Sequence, residues 1–306
     1  MSTPTEETES ATDTESRGQA AGNGFLVDVW INLKRWLVKT TRNPFVIVGS
    51  LVQPVIFLVL FTEVFGGVVS GALSSALGEN VSYVTYLTPA IIIQSALVAA
   101  AGSGIGLVDD MENGMFEKVL VSPINRVAMF LGKALSEVVR IVFQTFIILG
   151  LGYVLLWFDT GGAVGTYIET GVLGALGIVL VAIVFAVWFT AFSNIVALVT
   201  RDQESTIIGA NLLQFPLLFV SSAFIPVGRL PAWVRTVATY NPITYAVDAA
   251  RSLMLGRNTM EVLDVTIFSG IWNAVIPAFM VLVGLDLALG AIAVYFLNRA
   301  SSSSAG

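Results

Sequence analysis

The sequence predicts an all-α membrane protein, and three observations lead to that fold class. Of the 306 residues, 56% are apolar and only 12% are charged, whereas an average soluble domain carries about 25% charged residues. The mean hydropathy is +0.84, so a globule of this size could not hide its apolar side chains from water. The apolar residues also fall into long runs, without the polar–apolar alternation that a membrane barrel requires.

Six of these apolar runs are long enough, or nearly so, to cross a hydrocarbon core of about 30 Å as helices. They cover residues 46–66, 84–106, 141–158, 171–199, 206–225 and 271–297. Only Glu63 and Asp286 are charged within them. The sequence therefore predicts a domain of six transmembrane helices over residues 44–298.

The basic residues are distributed unevenly among the segments that join the apolar runs. If the N-terminus is cytoplasmic, the inner segments hold eleven Lys and Arg and the outer segments hold four. This distribution follows the positive-inside rule, and the reverse orientation violates it. Both termini are therefore expected to be cytoplasmic in a multi-pass protein of the plasma membrane. Residues 1–24, rich in Ser, Thr and acids, and residues 299–306 are expected to be disordered tails.

The absence of certain residue types limits the chemistry. There is no His and no Cys, which excludes disulfides, thiolate nucleophiles, Cys/His zinc sites and His-based acid–base catalysis. The net charge of −6 disfavours nucleic acid as a partner. The only Gly-Lys pair, Gly132-Lys133, precedes Ala134 and lacks the upstream glycine of a P-loop. No cofactor, metal or catalytic site is expected, and the chain is not expected to be an enzyme.

Residues 25–43 carry apolar side chains at helical spacing, with Trp30 and Trp36 among them, and basic residues at other positions, such as Lys34 and Arg35. This pattern predicts an amphipathic helix that lies in the membrane interface. The alternative is a helix packed on the cytoplasmic ends of the other helices. Pro44 disfavours continuation of this helix into the first apolar run.

The segment 107–140 combines acidic residues, a glycine and short apolar runs between two predicted transmembrane helices. Gly114 precedes a short helix with one apolar side, and Pro123 ends it. A charged, ordered cytoplasmic helix of this kind is suited to hold a partner protein. A solvated loop that merely connects the two transmembrane helices is the alternative.

Two runs of residues resemble a known family. The run from Glu112 to Arg126 (ENGMFEKVLVSPINR), followed by Leu131-Gly132-Lys133, is similar to the signature of the permease subunits of ABC type 2 transporters. Residues 240–251 (YNPITYAVDAAR) resemble the Asn-Pro…Asp…Arg segment that precedes the last transmembrane helix of that family. The resemblance covers about residues 25–298 and is nearest to drug-resistance permeases of the daunorubicin-exporter kind.

The resemblance implies the membrane subunit of an exporter whose ATP hydrolysis takes place on a separate chain. The ATP-binding cassette ATPase would dock on a coupling helix between the second and third transmembrane helices. The matching residues are Glu112, Gly114, Glu117, Pro123 and Arg126. A second permease copy, most simply in a homodimer, would complete the pathway. The cargo would be hydrophobic or amphipathic: a drug-like molecule, a lipid or a glycan.

The outer segment 226–270 is expected to form two short helices, the first from Pro231 and the second from about Ile243 to Gly256. In the resembling family, short re-entrant helices lie in this segment. The residues carried over are Asn241, Pro242, Asp248 and Arg251, and the last two are spaced to pair on one helix face. An ordinary capping loop is the alternative.

Asp286 lies near the middle of the last apolar run, where a charge is costly unless it is paired, hydrated or neutralised. It is therefore a candidate pathway residue, with a protonated structural carboxyl as the alternative. A secondary transporter with Asp286 as its proton carrier is the alternative function, and a membrane assembly protein without transport is a third.

Gly102 and Gly106 have the spacing that favours close helix packing.

Overall fold

The computed structural model describes residues 24–42, 44–77, 81–115, 118, 126–162, 167–263 and 266–302. Within these ranges the chain is helical and contains no strand, which confirms the all-α fold class. The helices are α1 (Phe25–Arg42), α2 (Pro44–Leu77), α3 (Tyr83–Glu112), α4 (Arg126–Asp159), α5 (Gly171–Thr200), α6 (Gln203–Phe219), α7 (Ala232–Tyr240), α8 (Pro242–Leu255) and α9 (Trp272–Ser302), with a 3₁₀ turn at Val227–Arg229.

Five helices of the described ranges are long and apolar enough to cross a membrane. They are α3 and α5 over their whole lengths, α2 over Val48–Val69, α4 over Val127–Asp159 and α9 over Trp272–Ile292. The sixth predicted run forms α6, which has only 17 residues. The structure thus supports a multi-pass membrane protein with five such helices.

Helix α4 begins much earlier than the apolar run 141–158 indicated. It is one continuous helix of 34 residues from Arg126. Two polar residues of its first half, Lys133 and Ser136, are buried in the bundle. The Lys133 amine donates to the Ser103 carbonyl of α3, and the Ser136 hydroxyl donates to the Lys133 carbonyl of its own helix. This part of α4 is therefore packed in the bundle and is not a solvated connection.

Helix α6 ends at Phe219, whereas the sequence predicted a helix over 206–225. The chain leaves the helix there as a buried turn, which is costly in a membrane protein unless the freed carbonyl groups find donors. The Asn241 side-chain amide donates to the carbonyl oxygens of Leu217 (2.6 Å) and Val220 (2.7 Å). Asn241 lies 24 positions after Leu217 and 21 after Val220 in the sequence. Its two hydrogen bonds satisfy these carbonyls where the helix ends.

Helix α3 is the centre of the bundle and is buried along most of its length, whereas few residues are buried in Val48–Val69 of α2 and Trp272–Ile292 of α9. The closest approach between α3 and α5 is at Gly104, where a Cβ would lie 2.3 Å from the Ser193 carbonyl oxygen. Ser193 Oγ accepts from the Gly104 amide at 3.1 Å and donates to the Ala101 carbonyl at 2.7 Å. Of the two glycines that the sequence singled out, Gly106 is in close contact with the Trp36 ring of α1, whereas Gly102 has no neighbour closer than 3.6 Å to an added Cβ.

The bundle has two ends, which are named here by the short helices they carry. At the α1 end, Lys39 of α1 contacts Asp109 of α3, and Gln203 at the start of α6 contacts Glu112. At the α8 end, the start of α3 meets the end of α4, where the Ser82 hydroxyl donates to Asp159.

Candidate functional site

The α1 end is organised by ion pairs between α1 and the last turn of α3. Arg35 Nη2 lies 3.0 Å from Asp110 Oδ2, and Lys39 Nζ lies 2.6 Å from Asp109 Oδ2 and 3.0 Å from Asp110 Oδ1. Partial burial lowers the pKa of the Lys39 amine, but the two carboxylates outweigh it, so the net effect is to raise that pKa. Lys39 therefore stays protonated, and α1 is fixed to α3 by opposite charges.

The Trp36 side chain connects these ion pairs to the interior of the bundle. Its ring lies within 5.1 Å of Arg35 Cζ, 4.7 Å of Lys39 Nζ and 5.0 Å of Lys133 Nζ. A Cβ added to Gly106 would lie 3.2 Å from the same ring, so this glycine makes room for the indole. Three basic side chains therefore lie near the Trp36 ring, whose π face attracts positive charge.

Lys133 is buried in α4 and reaches two other helices. Its Nζ donates to the Ser103 carbonyl of α3 at 2.6 Å and lies 3.4 Å from Asn194 Oδ1 of α5. A lysine beside an apolar run commonly extends to the membrane interface, whereas this one is buried in the bundle. The lysine instead links α1, α3, α4 and α5 at one point.

Helix α1 packs on the bundle, as the alternative interpretation of residues 25–43 proposed. Val29, Asn32 and Trp36 are buried, whereas Leu26 and Trp30 are 79% and 61% exposed. The Asn32 side-chain amide donates to the Asp28 carbonyl at 2.9 Å within this contact. The exposed Leu26 and Trp30 are available to contact lipid. The placement of α1 in a membrane interface stays a prediction.

The coupling residues carried over from the family lie at the α1 end where they are described. Glu112 is exposed, and its Oε2 accepts from the Gln203 side chain at 2.6 Å. Gly114 has φ +64°, a left-handed conformation that glycine adopts without strain, and it turns the chain out of α3. Arg126 is the first residue of α4. Glu117 and Pro123 lie outside the described residues.

The residues singled out in the outer segment are brought together at the α8 end. Asn241 caps α8 by accepting from the Ile243 amide at 2.9 Å, and Pro242 is the first residue of that helix. Arg251 and Asp248 form the predicted pair, with Nη1 3.2 Å from Oδ1. The predicted end of α8 at Gly256 is also present, with φ +66°.

The Arg251–Asp248 pair is buried and makes contacts that the sequence did not reveal. Arg251 Nη2 donates to the carbonyl oxygens of Ser222 (3.0 Å) and Ala223 (3.3 Å) in the turn after α6. The Ser222 hydroxyl donates to Asp248 Oδ1 at 2.7 Å. Burial raises the pKa of the Asp248 carboxyl to about 7, against the opposing effect of Arg251. The pair therefore holds α8 to the turn that follows α6.

Asp286 lies in α9 and is partly buried, and its Oδ1 is inaccessible without a hydrogen-bond partner among the described residues. Arg140, a basic residue of α4, pairs with Glu137 of its own helix. Arg140 also donates to the Ala99 carbonyl of α3. The structure therefore gives Arg140 partners other than Asp286.

Three features of the α1 end escaped the sequence analysis: Arg35 and Lys39 as ion-pair partners, Asp109-Asp110 as their acceptors, and Lys133 as a buried link. A signal was present, because Arg35 and Lys39 are four residues apart on one helix face, and two adjacent acids follow an apolar run. Which acids the bases would pair with depends on how α1 folds back, and local spacing does not determine that.

Comparison with known proteins adds to this geometry. A family model described as ABC-2 type transporter matches residues 27–255. The probable doxorubicin resistance ABC transporter permease protein DrrC of Mycobacterium tuberculosis is 24% identical, over 95% of this chain and 97% of its own length. The daunorubicin resistance ABC transporter permease protein DrrB1 of Streptomyces coeruleorubidus is 28% identical over 74% of each chain. A probable multidrug ABC transporter permease of Escherichia coli, YbhR, is 21% identical over 66% of this chain and half of its own length.

Proposed function

The chain belongs to the ABC-2 type transporter family, and from this premise we propose that it is the permease subunit of an ATP-driven exporter in the cytoplasmic membrane. The observation that carries the proposal is the family match over residues 27–255, which takes in the chain from α1 through α8. The described helices that are long and apolar enough to cross a membrane support it.

The cargo proposed for this subunit is a hydrophobic or amphipathic molecule, such as a drug-like compound, a lipid or a glycan, and it moves outward. Two of the relatives are named for resistance to doxorubicin and daunorubicin, and a third is named a multidrug permease. These names support a drug-like cargo and an outward direction.

A separate ATP-binding cassette ATPase is proposed to dock at the α1 end. The docking residues carried over from the family are Glu112, Gly114, Glu117, Pro123 and Arg126. The hydrogen bond between Glu112 and Gln203 supports this assignment, because it connects the end of α3 to the start of α6. A displacement of this segment would therefore act on two helices at once, as a rigid-body mechanism needs.

Six membrane crossings are proposed, with α6 as the fifth. Its first residue, Gln203, contacts Glu112 at the α1 end, and Leu217 near its last turn contacts Asn241 at the α8 end. Seventeen residues of helix extend about 25 Å, which approaches the thickness of the hydrocarbon core. With the basic residues concentrated at the α1 end, that end and both termini would be cytoplasmic.

The remaining parts of the proposal follow from this orientation. Helix α1 would lie at the inner interface, with exposed Leu26 and Trp30 in lipid. Helices α7 and α8 would form the outer re-entrant segment, in which α7 exposes Trp233 and Tyr240. Six crossings are few to enclose a pathway, so a second copy of the chain would complete it.

Co-purification with an ATPase encoded beside this chain tests the docking assignment. Glu117→Arg should abolish co-purification, because it reverses a charge in the proposed coupling helix. Glu169→Arg, which changes an exposed acid just before α5 at the α8 end, should leave it intact. Equal recovery of the ATPase with both variants, each folded, would reject the assignment.

A secondary transporter that uses Asp286 as its proton carrier is the alternative function. The inaccessible Oδ1 without a partner among the described residues favours it, because a buried carboxyl of this kind can exchange a proton. Transport driven by a proton gradient alone, and lost in Asp286→Asn, would support this alternative over ATP-driven export.

A further inference from the structure

Two cavities meet at the Tyr83 side chain, near the α8 end of the bundle. The larger has a volume of about 510 Å³ and lies between α2, the start of α3 and the end of α4. The smaller, of about 180 Å³, lies between α2 and the turn after α6. Tyr83 lines both, and its hydroxyl donates to the Phe224 carbonyl at 3.3 Å, so the ring is held in place between them.

The larger cavity is negatively charged. Glu63 of α2 and Asp159 of α4 line it, and no Lys or Arg is among its described lining residues. Asp159 accepts from the Ser82 hydroxyl at 3.2 Å. Thr62 also lines the cavity, and its Oγ1 is inaccessible and has no hydrogen-bond partner in the described part of the chain. Two carboxylates with no basic residue among the described residues around them create a potential that attracts a cation.

The smaller cavity is aromatic. Phe61, Phe65, Phe219 and Phe224 line it together with Tyr83. The rings of Phe61 and Phe224 are stacked with centroids 4.7 Å apart, and those of Phe219 and Phe224 lie 5.6 Å apart. Such a wall presents apolar area and π faces, both of which favour an apolar group attached to a cation.

From this juxtaposition we infer that the paired cavities at Tyr83 bind an amphipathic organic cation, with its charge beside Glu63 and Asp159 and its apolar body against the phenylalanine rings. A metal ion would gain nothing from the aromatic cavity, because it has no apolar group to place there. A neutral lipid would gain nothing from the two carboxylates, because it has no positive charge. The inference deepens the proposed function by naming a cargo class, and it rests on that function for its transport meaning.

Binding of a matched pair of probes to the purified full chain in lipid nanodiscs tests this inference. Tetraphenylphosphonium and tetraphenylborate have nearly the same size and shape but opposite charge. The chain should bind the cation at least about tenfold more tightly than the anion, because the carboxylates of Glu63 and Asp159 attract the cation and repel the anion. The difference should shrink as salt is added.

Variants locate the binding. Glu63→Gln with Asp159→Asn should weaken tetraphenylphosphonium binding about tenfold or more, with the single changes in between. Tyr83→Leu should weaken binding of both probes, because it removes the ring that the two cavities share. Glu169→Gln, which removes an exposed acid at the same end outside the cavities, should leave binding unchanged.

Two results would overturn the inference: equal affinity for the two probes, or unchanged tetraphenylphosphonium binding in the folded double variant. If the double variant does not fold, the two single variants decide in the same way. The assay needs neither ATP nor a partner chain. ATP-driven transport of another cargo, together with no cation binding, would therefore reject the inference alone and leave the proposed function standing.

Discussion

The Arg251 guanidinium stacks on the Tyr86 ring, with Cζ 3.6 Å from the ring centroid, and its Nε donates to the Tyr86 carbonyl oxygen at 3.2 Å. The two residues are 165 positions apart and belong to α8 and α3. Because Arg251 also bonds to Asp248 and to the turn after α6, one buried cation holds three parts of the α8 end together.

Replacing this arginine should be costly. Arg251→Met keeps much of the side-chain volume but removes the partner of Asp248 and the donors to the carbonyls of Tyr86, Ser222 and Ala223. Breaking a buried pair from one side costs about 3–5 kcal/mol, and we expect a loss in the free energy of unfolding of that size. Unfolding in detergent measures it. Recovery of part of the loss in Arg251→Met with Asp248→Leu would show that the unpaired carboxyl is the cause, and wild-type stability of the single variant would contradict the account.

The stability of the α8 end should depend on pH through Asp248. Burial raises the pKa of its carboxyl from 3.8 to about 7, and the charge of Glu261 adds to this while Arg251 opposes it. Since the folded state retains a proton that the unfolded chain has released, the free energy of unfolding should fall as the pH rises from 3.8 to about 7. Unfolding followed across this range should show a smaller fall for Asp248→Asn. An identical pH dependence in that variant would refute the assignment.

The contact of α3 with α5 should not tolerate a methyl group at Gly104. A Cβ there would lie 2.3 Å from the Ser193 carbonyl oxygen, and backbone cannot move aside as a flexible side chain can. Gly104→Ala should therefore reduce the free energy of unfolding by about 1–3 kcal/mol, the usual cost of overpacking. Gly102→Ala is the matched control, because the nearest atom to its added Cβ is Arg140 Nη2 at 3.6 Å, an ordinary van der Waals distance. Equal stability of the two variants would show that the helices can separate at this point.

The attachment of α1 should weaken when Asp110 loses its charge. Asp110→Asn removes the pairs with Arg35 and Lys39 but keeps the side-chain shape. We expect faster hydrogen exchange of the α1 amides, by an amount that corresponds to about 1 kcal/mol for a partly exposed pair. Glu204→Gln, an exposed acid in the first turn of α6, serves as the control at the same end. No change in α1 exchange would mean that the pairs with Asp110 do not hold the helix.

The sequence predicted those parts of the fold that depend on local composition. The run 171–199 became α5 (Gly171–Thr200), because a long apolar run with no charge has a single stable form in a bilayer. The break at Asn241-Pro242, the end of α8 at Gly256 and the Asp248–Arg251 pair were also predictable, since each depends on neighbours within four residues.

The parts that the sequence missed depend on contacts between distant residues. The end of α6 at Phe219 requires the Asn241 amide, and the burial of Lys133 requires acceptors on α3 and α5. A basic residue at the edge of an apolar run is equally consistent with an interface and with a bundle core. Only the packing of the helices decides between them, so the sequence alone does not locate Lys133.

The energy source of transport tests the central claim most directly. Inside-out vesicles that contain the chain and its neighbouring ATPase should take up a drug probe such as daunorubicin when ATP is supplied. Uptake should be absent when the ATPase is omitted, or when a proton gradient replaces ATP. Uptake that a proton gradient alone drives, and that Asp286→Asn abolishes, would contradict the account of an ATP-driven permease.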